Sequence, residues 1–375
     1  MTDKEIAEIR RRYKTDKSSI SRVRGCYVND KREIISKFDQ SIGLMTEDEA
    51  EELLGLLKKT LSGSVGKNLI DIEFSNQQVL EGNEHARLMK LRDSALDSEE
   101  AVTELYERII NSVKLESSYL ILLAYDKYDV FSYTKDGRKA DESSTVFSYV
   151  LCSICPIKLT KPALSYYAHD NAFKNIAANS VIAAPELGFM FPAFDNRTAN
   201  IYNALCYTRN ISESRNEFTD CIMGCPAPIP AAEQKDIFDS VLQESMTDDC
   251  SYSVVSGIRD RICDLLEENR ESKTEEPLMI SKSTMHNLLN ECNVPEDKIN
   301  SFDDKFEEAF GKHARICPHN IISTKQLEVK TPDVTVKVNP DRSDLVKTEV
   351  IDGVKYILIR AEDGVEVNGV DINII

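Results

Sequence analysis

The chain has no stretch that approaches the roughly 20 apolar residues needed to span a bilayer. Its longest apolar runs, Leu120–Tyr125 and Val146–Ile157, stop well short, so no membrane span is expected. No apolar segment follows the charged opening Met1-Thr2-Asp3-Lys4-Glu5. A secretory signal is therefore not expected, and the compartment is read as cytoplasmic. Tryptophan is absent, which by itself excludes nothing. No GxSxG, HExxH or dinucleotide-binding fingerprint occurs. No motif identifies a reaction, no cofactor is implied, and the absences together favour a binding protein over an enzyme.

A length of 375 residues predicts two domains or three. Hydrophobic content of 41% and charged content of 29% are those of an ordinary globular protein with enough apolar material for a sizeable core. The ten cysteines are spread along the chain, so in a reducing compartment they are read as free thiols, many buried as small hydrophobes.

Positive charge is scarce and unevenly placed. The chain carries 46 Lys+Arg against 64 Asp+Glu, a net charge of -18. Residues 1–40 reverse that balance, because Arg10, Arg11, Arg12, Lys14, Lys17, Arg22 and Arg24 face a single acid within their span, Asp16. A basic arm on an acidic body can grip an anion such as a nucleic-acid backbone, contact another protein, or dock on its own body. Arginine dominates the arm, which suits phosphate and carboxylate forks. Tyr13 and Tyr27 flank it as candidate stacking platforms.

The expected class is α+β. A mixed α/β region with a central sheet leads into a helical middle and a small strand-rich C-terminal unit of hairpins. A basic arm over 1–45 opens with a helix at 2–13, where Thr2 and Glu5 form a capping box. A hairpin follows, with strands Ile20–Val28 and Arg32–Phe38 about a turn at Asn29-Asp30. The main α+β domain, 46–268, opens with a second capping box, Thr46 with Glu49, and a leucine-rich helix reaching Leu61. The runs 118–125 and Thr145–Ile157 read as strands covered on both faces, with Lys135–Ser144 as a loop between them. Val181–Ala184, Gly188–Phe191 and Ile201–Tyr207 extend the sheet, and helices follow at 213–223, 231–246 and 252–268. The polar stretch 269–277 reads as a linker. The C-terminal α+β domain, 278–375, has two helices and then strands, with Asp352-Gly353 and Asn368-Gly369 as hairpin turns.

Several blocks together identify a relationship. They are Arg24-Gly25-Cys26-Tyr27-Val28, Leu57-Lys58-Lys59-Thr60-Leu61-Ser62-Gly63, Gly66-Lys67-Asn68-Leu69, Leu151-Cys152-Ser153-Ile154-Cys155-Pro156, Ala184-Pro185-Glu186-Leu187-Gly188-Phe189, and Val338 through Val346. On them the chain resembles, over nearly its full length, a Firmicutes family designated only as the domain of unknown function DUF4317. That resemblance implies no activity, cofactor or catalytic residue. The segment Leu327-Glu328-Val329-Lys330-Thr331, with the strands after it and the block Glu99–Tyr125, is also similar to bacterial nucleoid-associated proteins. This second resemblance rests on pattern more than identity, and implies association with the bacterial chromosome.

Three further groups are candidates for chemistry. Cys152-Ser153-Ile154-Cys155 is a CxxC that, with Cys221 and Cys225, would make a four-thiolate zinc site. Against it, positions i and i+3 of a strand point to opposite faces, and core cysteines are the favoured reading. Gly63-Ser64-Val65-Gly66-Lys67-Asn68 invites comparison with a phosphate-binding P-loop. It has too few residues between its glycines and no Ser or Thr after the lysine, so a helix end leading into a strand explains it better. Glu186, Asp195 and Arg197 lie among aromatics and prolines and are expected either to form a ligand cleft or to make a buried salt bridge. His85, His286, His313 and His319 are read as solvated loop residues.

Overall fold

The computed structural model describes residues 1–133, 139–213, 215–225, 229–271, 278–312, 314–323, 327–361, 364–367 and 369–372. The chain divides into two compact units, Met1–Ala231 and Ala232–Ile375.

The first unit begins with α1 (Asp3–Arg10), β1 (Arg22–Val28), β2 (Ile34–Ser41), α2 (Glu47–Lys58) and β3 (Leu69–Glu73). Next come α3 (Asn76–Glu81), α4 (Asn83–Asp93) and α5 (Glu99–Ser112). Two long strands follow, β4 (Tyr119–Tyr133) and β5 (Lys139–Leu159), and then a hairpin of β6 (Ala163–Tyr167) and β7 (Ala172–Ile176). The unit closes with β8 (Ser180–Ile182), β9 (Leu187–Phe191), β10 (Ala193–Asp195), β11 (Thr198–Asn200), β12 (Asn203–Thr208) and α6 (Asn216–Met223).

Its centre is an antiparallel sheet in the order β2-β1-β4-β5-β9-β12-β3, with β8 paired to β5. Helices cover both faces. On one, Val102, Leu105 and Ile109 of α5, Leu88 and Leu91 of α4, and Phe218 and Ile222 of α6 pack on Ile121, Leu123, Val150, Cys152 and Phe189. On the other, Ile6 and Ile9 of α1 and Leu54 and Leu57 of α2 pack on Leu120, Leu122, Tyr149, Leu151 and Met190. Burial on both faces is why the central strands read as continuous apolar runs rather than alternating ones. Both expected capping boxes form, each cap side chain accepting from the backbone three residues on.

The loop expected over Lys135–Ser144 is strand from Lys139 onward, while 134–138 lie outside the described residues. β4 and β5 thus form one long hairpin, because their ladder continues past the apolar part of each run. The arm over 1–45 contributes two strands to the sheet, since β1 pairs with β4 from Val23↔Ala124 to Val28↔Tyr119.

The second unit contains α7 (Ala231–Met246, entering from the boundary), α8 (Tyr252–Glu271), α9 (Lys282–Glu291), α10 (Glu296–Phe310) and α11 (Pro318–Ile321). Its core joins Phe238, Leu242 and Met246 of α7, Ile258 and Ile262 of α8, Leu288 and Leu289 of α9, and Phe302 and Phe306 of α10. The sequence placed a linker at 269–277, whereas packing divides the chain between Ala231 and Ala232. The reason is that α7 and α8 bury their apolar faces on α9 and α10. Residues 269–271 complete α8, and 272–277 lie outside the described residues. Three two-stranded hairpins close the chain. They are β13 (Leu327–Lys330) with β14 (Thr335–Val338), β15 (Val346–Ile351) with β16 (Val354–Ile359), and β17 (Val365–Val367) with β18 (Val370–Ile372). Asp352 and Gly353 both have positive φ, as the expected two-residue turn requires. The other expected turn includes Asn368, which lies outside the described residues.

Candidate functional site

The basic arm separates into cations engaged by the protein and cations left in solvent. Helix α1 ends at Arg10, and the chain then turns back toward the sheet. Arg12 reaches Asp126 of β4 in a two-pronged pair, Nε to Oδ2 at 2.8 Å and Nη2 to Oδ1 at 3.0 Å. Asp126 is 1% exposed. It also accepts from the Ser19 backbone N–H at 3.2 Å, the Lys127 N–H at 2.9 Å and the Tyr149 hydroxyl at 3.0 Å. The guanidinium lies 4.4 Å from the centre of the Tyr128 ring, a cation–π contact. Burial disfavours the Arg12 cation, but its hydrogen bonds and charge attraction to Asp126 prevail and raise its pKa. Tyr13 is buried, with its hydroxyl 3.2 Å from that of Tyr149, and so cannot serve as a stacking platform. Burial pushes both phenols up.

Arg22 and Arg24 are also engaged. Arg22 pairs with Asp39 at 3.2 Å and with Asp97. Arg24, 9% exposed, donates to the Leu96 carbonyl at 2.7 Å and pairs with Glu99. Arg10 is half-buried, and its Nε is buried without a partner. Arg11, Lys14 and Lys17 are exposed, with no side-chain hydrogen bond or ion pair among the described residues. Of the seven cations singled out by the sequence, Arg11, Lys14 and Lys17 are therefore the exposed ones with no side-chain partner among the described residues.

The proposed cleft of Glu186, Asp195 and Arg197 does not form. Asp195 takes the Met1 amino group at 3.1 Å together with Asp71 at 3.2 Å, and accepts from Asn200 at 2.8 Å. Burial disfavours the Met1 ammonium, but the two carboxylates outweigh this and raise its pKa. Burial pushes the Asp71 carboxyl up despite the amino group beside it. Arg197 makes a two-pronged pair with Glu8 of α1, both contacts at 3.1 Å. Glu186 lies at the opposite end of β9, where its backbone N–H donates to Ile154 and its carbonyl accepts from Arg209. The strand between them separates the acid from the other two, which hold α1 to the sheet.

The cysteines are dispersed as well. Cys152 packs in the core on the α5 face and Cys155 in the core on the α1 face, as strand alternation dictates. Cys221 donates to the Arg108 carbonyl at 3.5 Å, whereas Cys225 faces Gln78 and Glu73. Among the described residues no group of three or more His, Cys, Asp or Glu could hold a metal ion. Burial pushes Cys26 to about 11, Cys155 and Cys206 to about 12, and Cys152 well above the ordinary thiol value. In the native protein at neutral pH, an aromatic disulfide reagent is expected to spare the five buried thiols. All ten should react in denaturant. Rapid native labelling of Cys152 or Cys155, located by mass spectrometry, would contradict this account.

The histidines depart from the solvated reading in two places. His85 of α4 is 3% exposed, bonded to the Ile201 carbonyl at 2.8 Å and edge-on to Phe74 and Phe191. His286 of α9 is hydrogen-bonded to Asp303 of α10 at 2.7 Å. His313 lies outside the described residues.

Sequence reading missed Asp126 altogether. A lone aspartate after an apolar run, Leu120-Ile121-Leu122-Leu123-Ala124-Tyr125-Asp126, was the available signal, because a buried acid requires a cation. It also left unnoticed a cavity bounded by β3, β12 and the loop into α6. Its lining includes Lys67, Arg215, Ile70, Ile72 and Cys206.

The first unit is thus an antiparallel sheet held between two layers of helices, with a clamped basic arm along one face. The chain belongs to the family described as Domain of unknown function (DUF4317), whose model matches residues 1–370. No curated protein and no solved structure matches it. Among the described residues no helix is long and apolar enough to cross a membrane.

Proposed function

We propose that this is a cytoplasmic protein that acts by binding, and that Arg11, Lys14 and Lys17 contact the phosphates of nucleic acid. The observation that carries the reading is the exposure of these three cations, which have no side-chain partner among the described residues, in and next to a segment tied down at Arg12 and Ser19. Arg12 and the Ser19 N–H both hold Asp126, so Lys14 and Lys17 lie between two tethers and Arg11 caps the end of α1 beside the first, which orders the three before any partner arrives. The net charge of -18 opposes a polyanion laid across the rest of the molecule and confines contact to the patch.

The size of the patch makes the proposal quantitative. Three phosphate contacts give a salt slope near -2.7, hence an affinity loss of about 40-fold between about 50 and 200 mM salt. Seven contacts would give about 6,000-fold over the same range. Fluorescent duplex DNA titrated with the full chain is expected to show the smaller loss. An Arg11/Lys14/Lys17→Ala variant should abolish binding without lowering thermal stability. An Arg10/Arg11/Arg12→Ala variant is unsuitable, because it also strips Asp126 of its partner. Absence of DNA binding at the lower salt overturns the proposal. So does salt-sensitive binding to polyglutamate in place of DNA, which would assign the patch to an acidic protein.

A further inference from the structure

We infer that the free edge of β15 is a self-association surface, onto which a second copy of this chain adds its own β15, antiparallel about Thr348.

The β15–β16 hairpin is fixed at its base within the second unit. The Tyr252 hydroxyl of α8 donates to the Ser343 carbonyl at 3.0 Å, and Ser343 Oγ donates to Asp260 at 3.0 Å. The Arg360 N–H donates to the Leu345 carbonyl at 2.8 Å. Beyond that base, Lys347 to Ile351 and all of β16 are exposed. Val350 is 65% exposed and Ile359 is 57% exposed. A two-stranded ribbon is marginal in water, and three or more strands with an apolar face are needed for independent stability. Among the described residues β15 pairs with β16 alone, so its other edge carries no strand.

That edge is complementary to itself. In Val346-Lys347-Thr348-Glu349-Val350, opposite charges flank Thr348 and valines flank the charges. Lys347 and Glu349 are exposed and have no side-chain partner among the described residues. Antiparallel pairing of two copies about Thr348 sets Lys347 of each opposite Glu349 of the other, and Val346 opposite Val350. Charge also fixes the register. A slip of two residues in either direction brings Lys347 against Lys347 or Glu349 against Glu349. A slip of one residue joins the valine face of one copy to the charged face of the other. Charges on an edge ordinarily resist pairing, and these two admit one arrangement.

The product is a four-stranded sheet, β16-β15-β15-β16, across a two-fold axis. Val346 lies opposite Ile359 in the hairpin and Thr348 opposite Ile357. One face of the sheet therefore carries Val346, Val350, Ile357 and Ile359 from each copy. The contact is isologous and closes at two chains. The outer edge of β16 has no such complement, because its one charge is Lys355 and a lysine there discourages a further strand. An interface built on five edge residues from each copy is small, so the dimer is weak and concentration-dependent.

Sedimentation velocity of the full chain from about 1 to 100 µM tests this, a range suited to a small interface. A reversible dimer is expected. Lys347→Glu alone, or Glu349→Lys alone, should weaken it by about tenfold or more, because both cross-strand pairs then repel. The two single variants mixed together should pair with each other, since each supplies the charge the other lacks. The swap of both residues in one chain, Lys347→Glu with Glu349→Lys, should regain the parent's self-association. Melting temperatures of dilute variants should match the parent, because neither side chain holds anything within the chain. A monomer at every concentration overturns the proposal and leaves the edge to a strand from another protein. Single variants that dimerise like the parent, or that fail to pair when mixed, also overturn it. Arg11/Lys14/Lys17→Ala should dimerise as the parent does, which keeps failure of this surface distinguishable from failure of the basic arm.

Discussion

Replacing Asp126 with alanine is expected to destabilise the first unit by about 3–5 kcal/mol, the usual cost of stripping one partner from a buried ion pair. The substitution leaves the Arg12 guanidinium, 13% exposed, without its carboxylate. It also orphans the N–H groups of Ser19 and Lys127 and the hydroxyl of Tyr149. Denaturant unfolding followed by circular dichroism measures the loss. Removing both charges, in Arg12→Met with Asp126→Ala, is expected to cost less than the sum of the single changes. A buried pair is expensive mainly when broken rather than when absent. Additive losses would show that the two side chains act independently, against the geometry. The same variant should raise proteolysis within residues 11–20, because the arm's tether is gone.

The second large effect is expected at Gly188 of β9. A Cβ there would lie 2.3 Å from the Cys152 carbonyl oxygen and 2.5 Å from the Thr60 methyl carbon. Gly188 pairs with Ser153 across the ladder, and the Ser153 hydroxyl lies 2.6 Å from that of Thr60. The one-turn helix Lys59–Leu61 therefore rests directly on the glycine. Gly188→Ala should cost about 1–3 kcal/mol or more, as overpacking a rigid core does. Adding Thr60→Ser removes the methyl clash but not the carbonyl clash, so it should recover only part of the loss. Full recovery would mean that the backbone contact yields more easily than the sheet implies.

Local chemistry was legible without coordinates. Thr2 with Glu5 and Thr46 with Glu49 announced helix starts because a cap is completed within four residues. The β1–β2 hairpin, the doubly buried runs in β4 and β5, and the Asp352-Gly353 turn were likewise readable from patterns only a few residues long. What failed depends on distant residues. Arg12 and Asp126 are 114 positions apart, and nothing near either one names the other. Lys67 and Arg215 meet across a cavity only because β3 pairs with β12. Glu186 and Arg197 look like neighbours in sequence, yet an intervening strand carries them to opposite ends. The unit boundary was missed because a polar stretch resembles a linker, whereas α7 and α8 join the second unit by burying apolar faces that any neighbouring core could have covered.

By itself, then, the sequence determined where helices cap, where strands run, and that positive charge gathers at one end of the chain. The tertiary structure alone decided which of those charges are engaged. A guanidinium beside a buried carboxylate is a tether, and the same group in solvent ties nothing down. That difference is one of burial and pairing, which the order of residues does not encode locally.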